Sequence, residues 1–259
     1  VAGLKKKIEG SSPITRLSGS QADNWGRLSM TTITAWAERF RSTKTYDTLV
    51  ALPLIVWFGS GTGRESLTIL AHMRRIANGT ADLLGVLQML ALIGSVVFSL
   101  LLIVMLLLRT APRARAPGVM PRALAVTGTG LGTAFLYLHP HVLPIWLQAI
   151  ADIMIFGASV LEIIILLRLG KSFAIMADAR ELVTSGPYAV VRHPLYVAEE
   201  IGILAMLIQF FAPAAIALTL AHITVQVART VYEERILTAT FPEYRAYKAR
   251  TWRFIPHVI

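Results

Sequence analysis

The stretch Gly186-Pro187-Tyr188-Ala189-Val190-Val191-Arg192-His193-Pro194-Leu195-Tyr196 lies between two long apolar segments, one ending near Leu169 and the other beginning at Leu195. Glycine and the prolines mark it as a loop. It gathers an arginine, a histidine and two tyrosines between runs with few polar side chains. A loop of that composition, between segments suited to lipid, belongs at the mouth of a membrane.

Composition points the same way. The 259 residues are 55% hydrophobic and only 15% charged, with a mean hydropathy of +0.61. That is too apolar for an ordinary soluble domain, so a polytopic membrane protein is expected. The net charge of +10 does not argue for nucleic acid, because Lys and Arg cluster between apolar runs and not along one polar face. This is the positive-inside pattern. There is no cysteine, so disulfides, thiol chemistry and Cys-ligated metals are excluded. Lys5, Lys6 and Lys7 are followed by a polar stretch and not an apolar core, so no secretory leader is expected.

Upstream of the loop, residues 1–45 read as a basic cytoplasmic arm, with a short amphipathic helix over Met30 to Arg41. Thr48 to Ser60 is a first span only if tilted, since crossing takes about 20 residues. Gly61 to Thr80, with Arg64, Glu65, His72, Arg74 and Arg75, reads as a loop carrying at most one short surface helix. Leu83 to Leu108 is unbroken apolar sequence and the surest transmembrane helix. Arg109, Arg113, Arg115 and Arg122, interleaved with prolines, then make a cytoplasmic basic turn.

Ala123 to Leu138 returns as a thin, glycine-rich helix, and His139 to Pro144 makes the far turn. Its two histidines lack carboxylate or Cys partners, so no metal is expected there. Ile145 to Leu169 carries Asp152 and Glu162. Acids inside a span mark a polar pathway or a partner in the bundle; the alternative is that Asp152 lies near the outer interface and Glu162 pairs with a basic residue for packing.

Downstream, Leu195 to Phe211 and Ala214 to Val227 are separated only by Ala212-Pro213. Proline cannot continue a helix, so a helical hairpin is predicted. The fold expected is therefore all-α: a transmembrane bundle of five or six spans over residues 46–168 and onward, with residues 169–259 supplying the hairpin, the cytoplasmic loop and the tail. On the last helix His222, Gln226, Arg229 and Glu233 recur at i, i+4, i+7 and i+11, a polar stripe on one face. The other arm places Tyr196, Glu199 and Glu200 in its first turns. Across a cleft they would face Arg229, Glu233 and Glu234; otherwise the cluster is a salt-bridged brace.

Three blocks, GPYAVVRHPLY from Gly186, EERIL from Glu233, and FPEYRAYKARTWRFIP from Phe241, occur in order. Together they resemble the C-terminal half of the isoprenylcysteine carboxyl methyltransferase and phospholipid methyltransferase family of integral-membrane enzymes. Two departures stand out. Ala198 replaces the Gly usual two residues after the motif's Tyr, and Glu199 is followed by a second acid, Glu200. The resemblance implies S-adenosylmethionine as methyl donor, bound by Gly186, Tyr188, His193, Pro194, Tyr196, Glu233 and Glu234. It also implies a lipophilic acceptor arriving from the bilayer, and no metal.

Methyl transfer from a sulfonium needs mainly alignment and exclusion of water. Arg192 or Arg229 suits orientation of the acceptor, and Glu199 or Glu200 suits removal of a proton from an amine or thiol. A carboxylate acceptor needs no base. Tyr244, Tyr247, Trp252 and Phe254 read either as a cap on the donor pocket or as an interfacial aromatic belt. No glycine-rich loop after a strand is present, so a Rossmann-type domain is not supported. Two alternatives stay open: a nicotinamide-dependent membrane reductase of similar architecture, and a non-catalytic membrane protein of the same fold.

Overall fold

The computed structural model describes residues 35, 36, 39, 40 and 43–258. The chain divides at Tyr46. In the first unit the rings of Trp36 and Phe40 stack with centroids 5.5 Å apart; the expected helix over Met30 to Arg41 otherwise lies outside the described residues.

Between residues 43 and 258 the chain forms seven α-helices: α1 (Lys44–Ala77), α2 (Leu83–Leu108), α3 (Met120–Ala134), α4 (Ile145–Leu169), α5 (Pro194–Gln209), α6 (Pro213–Thr240) and α7 (Tyr244–Arg250). A two-residue ladder joins β1 (Ala114–Arg115) to β2 (Asp178–Ala179), antiparallel, with Ala114 opposite Ala179. The all-α class is as expected.

Local chemistry sets most boundaries. Asp82 caps α2 by accepting from the Gly85 amide at 2.9 Å. The helices α5 and α6 both open on a proline, where the missing amide hydrogen costs nothing. Helix α4 ends at Gly170, with φ +51°.

The first helix departs from expectation. The segment read as a loop over Gly61 to Thr80 continues α1 without a break to Ala77, making a helix of 34 residues. The run Arg64 to Ala77 is rich in good helix formers and contains no proline, so its polarity signalled an exposed face and not a loop. Asn78-Gly79, with Gly79 at φ +68°, ends it.

Three helices among the described residues are long and apolar enough to cross a membrane: Leu83–Leu108, Ile145–Ser172 and Pro213–Thr240. The remaining spans expected from the sequence fall on α3 and α5, of 15 and 16 residues, both short of the roughly 20 that a perpendicular crossing needs, and on α1.

Helix α4 packs along both α2 and α5, and α3 packs along α6. Close approach is permitted by small residues. A Cβ on Gly94 of α2 would lie 3.0 Å from the Ser159 Cβ of α4. One apolar core joins Leu102, Leu106, Leu166, Phe173 and Ile175 beneath the loop.

Asp47, at the start of α1, is buried against three arginines. It meets Arg109 Nε at 2.7 Å, Arg180 Nη2 at 2.9 Å and Arg115 Nη2 at 3.1 Å. Arg180 also reaches Asp178 at 3.1 Å and donates to the Thr110 carbonyl. This buried clamp holds the basic turn to the segment that leads into the loop.

Candidate functional site

The loop is held by the tail. Arg192 and His193 donate their amides to the carbonyls of Trp252 and Arg253 at 2.8 and 3.1 Å, and Trp252 returns a bond to Val190 at 3.2 Å. The Tyr247 hydroxyl donates to the Tyr188 carbonyl at 2.7 Å. Burial pushes the Tyr188 and Tyr247 phenols up, Tyr247 to about 12, so both remain donors at neutral pH. Gly186, at φ +63°, lets the chain turn beneath Arg168, whose Nε would be 3.2 Å from an added Cβ.

The hairpin brings the predicted polar residues together across α5 and α6. Tyr196 donates to Glu233, and Gln226 donates to Glu199. His222 Nδ1 lies 2.8 Å from Glu200 Oε1. Arg229 gives Nη1 to Gln226 at 2.7 Å and Nη2 to the Ile175 carbonyl at 2.9 Å, with its guanidinium 4.9 Å from the Tyr196 ring centre. The stripe read from helical spacing is therefore one side of a series of inter-helix polar contacts, buried at His222, Gln226 and Arg229.

Adjacent residues on α6 part company. Glu233 turns toward Tyr196 and lies 3.7 Å from His193 Nδ1, with a fifth of its side chain exposed. About 100° around the helix, Glu234 is buried and collects the tail. It accepts from Arg192 Nε at 3.0 Å and from Arg253 at 3.0 Å through both carboxylate oxygens, and meets Lys248 at 2.6 Å and His193 Nε2 at 3.4 Å. Arg192 is further occupied by the carbonyls of Lys248 and Thr251. The Glu234 to Arg192 pair is thus a clamp between loop and tail, not part of the cleft between α5 and α6.

A cavity of about 920 Å³ runs from this loop into the bundle. Of the residues singled out from the sequence, Tyr188, Arg192, His193, Tyr196, Glu199, Arg229 and Glu233 line it; Gly186, Pro194, Glu200 and Glu234 do not. Tyr244 and Tyr247 are buried in its wall, which favours the cap over the belt for these two. Trp252 instead packs on His257 with centroids 4.6 Å apart, and Phe254 on His193 at 5.8 Å. The Tyr244 hydroxyl is buried with no hydrogen-bond partner among the described residues.

Residues 146–244 match the sequence model of the phospholipid methyltransferase family. The match bears out the resemblance over this segment, which holds the first two motif blocks, the start of the third and the catalytic and donor-binding residues read from them, but not Tyr247, Trp252 or Phe254. Two curated relatives align over part of the chain. The cobalt-zinc-cadmium resistance protein CzcN of Cupriavidus metallidurans is 45% identical over 80 residues, 30% of this chain and 36% of that protein. The nickel-cobalt-cadmium resistance protein NccN of Alcaligenes xylosoxydans xylosoxydans is 41% identical over 81 residues, 30% of this chain and 37% of that protein. The chain thus matches little more than a third of the length of either relative.

Sequence reasoning missed the Asp47 clamp and the cavity's contribution from α1. Glu65 accepts from Ser95 at 3.1 Å and lines the cavity. The signal for it was the run of good helix formers without proline from Arg64 to Ala77. The alternative of a basic partner for Glu162 is not what the structure has: among the described residues, none pairs with it. Asp152 instead accepts from Gln209 at 2.9 Å. Around His139 and His141, as elsewhere among the described residues, no group of three His, Asp, Glu or Cys side chains is placed to hold a metal.

Proposed function

We propose that this chain is an integral-membrane methyltransferase that uses S-adenosylmethionine and acts on a lipophilic acceptor reaching the cavity from the bilayer. We place the loop and the C-terminal end on the cytoplasmic side, with α3 and α5 completing five spans; where α1 also crosses, the bundle has six and the N-terminal end is cytoplasmic too. The observation that carries the reading is the Tyr196 to Glu233 contact, which closes a polar network over a cavity shared by the loop, the tail and the bundle.

The residues present suit the donor. When bound, it supplies a methyl group already activated by a positive sulfur. At about 920 Å³ the cavity is at the upper end for a small-molecule site, with room for a nucleoside beside an acceptor head. Glu233, partly exposed and facing the cavity, suits a ribose hydroxyl or an ammonium group. The unpartnered Tyr244 hydroxyl supplies a further donor, and the face of Tyr188 suits a cation, those of Tyr196 being taken by His193 and Arg229. His193, held between the Tyr196 and Phe254 rings, fixes the floor against which Glu233 is aimed. Gly186 and Pro194 set the turn and the helix start, and so act on backbone geometry and not through contact.

Calorimetric titration of the detergent-solubilised protein with S-adenosylhomocysteine tests this. Binding in the micromolar range, near −8 kcal/mol, is expected, with Glu233→Ala weakening it by at least about tenfold. NADPH run in the same way should give no heat. Binding of NADPH without S-adenosylhomocysteine would replace this reading by the reductase, and binding of neither would leave the non-catalytic protein.

A further inference from the structure

Glu162 is a cavity-lining acid that the proposed donor site does not use. It lies on α4 seven residues before Leu169, about 10 Å below the loop end of the helix. Its exposure is 9%, and it lines the cavity. Among the described residues it has no hydrogen-bond or ion-pair partner. Glu199, one helical turn beyond Tyr196 on α5, lines the same cavity from the helix packed against α4 and acts on Glu162 electrostatically; it is already bonded by Gln226. The nearby wall is also polar: Ser159 stands one turn earlier on the same helix, and Ser99 and Thr133 line the same cavity.

A buried carboxylate without a partner costs several kcal/mol unless it holds a proton or receives a donor from elsewhere. Packing alone does not call for one here, since Ala158 and Ile165 fill comparable positions on this helix. Two carboxylates on the wall of one cavity, carried by packed helices, also disfavour an anionic head. The pair therefore selects for a group that brings hydrogen to the site.

The geometry points to Glu162 as the residue that receives the acceptor's reacting group, an X–H donor (amine or hydroxyl) on a lipophilic body, and takes its proton. This rests on the methyl-transfer reading above. As the X–C bond forms, the X–H bond breaks and its proton passes to the Glu162 carboxylate. The methyl–sulfur bond breaks with its electron pair left on sulfur, so one positive and one negative charge disappear together. A carboxylate acceptor has no proton to give and meets the like charge of Glu162, while Arg229 on the same cavity wall is already held by Gln226 and the Ile175 carbonyl.

The test uses the full chain in phosphatidylcholine nanodiscs, with dodecylamine, dodecanol and dodecanoate as matched probes. Their binding is measured without any methyl donor, and S-adenosylhomocysteine binding separately. The amine or the alcohol should bind at least about tenfold more tightly than the acid. Glu162→Gln should lose at least about tenfold of that affinity while S-adenosylhomocysteine affinity changes less than about twofold. The arms distinguish amine from hydroxyl.

Equal or tighter binding of dodecanoate, or unchanged probe binding by Glu162→Gln, overturns the assignment. If Glu162→Gln does not fold, Glu162→Asp retracts the carboxylate by one methylene. A clear fall in probe affinity then supports the contact, and unchanged affinity refutes it. Glu162-dependent probe binding in a protein that ignores S-adenosylhomocysteine would sink the donor reading and leave this one standing.

Discussion

Neighbouring Glu233 and Glu234 should fail in opposite ways when each is changed to glutamine. Glu234 is 4% exposed at its side chain and faces Arg192 at 9%, Arg253 at 31% and Lys248 at 44%. Lys248 and Arg253 can recover much of their hydration if the carboxylate goes, so their pairs contribute little. Arg192 cannot, and removing one partner of a buried pair typically costs about 3–5 kcal/mol. Glutamine keeps one acceptor oxygen, which places Glu234→Gln near the lower end, about 3 kcal/mol.

At roughly 2–4 °C per kcal/mol for a chain of this size, the apparent Tm should fall by roughly 6–12 °C. Glu233→Gln removes a partly exposed carboxylate bonded by one tyrosine, and should cost about 1 kcal/mol or less. Its effect should fall on ligand affinity. The assay is thermal unfolding in detergent, paired with S-adenosylhomocysteine titration below the transition. If Glu234→Gln melts like wild type but loses ligand, or Glu233→Gln melts early with affinity intact, the division of labour argued from their orientations is wrong.

Gly186→Ala forces a left-handed residue and sets a Cβ 3.2 Å from Arg168 Nε, so a loss of about 1–2 kcal/mol in thermal stability is expected; an unshifted Tm would show that the turn relaxes freely. Asp47→Asn strips the buried clamp of its charge and should cost about 3 kcal/mol at neutral pH, again read by melting. The pH dependence of that cost has a definite sign. Burial pushes the Asp47 carboxyl up, but the hydrogen bond from Arg180 and the charges of Arg109, Arg180 and Arg115 outweigh it and hold the group below its ordinary 3.8. Its contribution is therefore whole above pH 3.8 and lost only as pH falls through the lower folded value. The gap between wild type and Asp47→Asn should stay constant from pH 7 to pH 5, and a gap that closes in that window contradicts the assignment.

Long-range apolar pattern and proline placement were readable without coordinates. Leu83 to Leu108 and Ile145 to Leu169 have the same ends in the structure as in the reading from sequence, because an uninterrupted apolar run between charged or glycine-marked turns has few alternatives in lipid. The hairpin at Pro213 followed for the same reason. Helix α1 was cut short because polar side chains on an exposed face were taken for a loop, a confusion that composition alone cannot resolve.

The site divides along similar lines. Spacing of 3.6 residues per turn is a local property, so His222, Gln226, Arg229 and Glu233 could be assigned to one face from their numbers, and the hairpin made Tyr196 and Glu199 their natural neighbours. What those rules do not carry is the contact between distant parts of the chain. That Glu234 holds the tail while Glu233 faces the cavity depends on where Arg192, Lys248 and Arg253 fold back. That Asp47 meets Arg180 across 133 positions, and that Glu162 shares a cavity wall with Glu199 without a basic partner, follow from how α1, α4 and α5 pack. Apolar periodicity and turn chemistry act between neighbours in the chain and leave their mark in its order; charge pairing and cavity shape arise from packing between segments, and no local pattern records them.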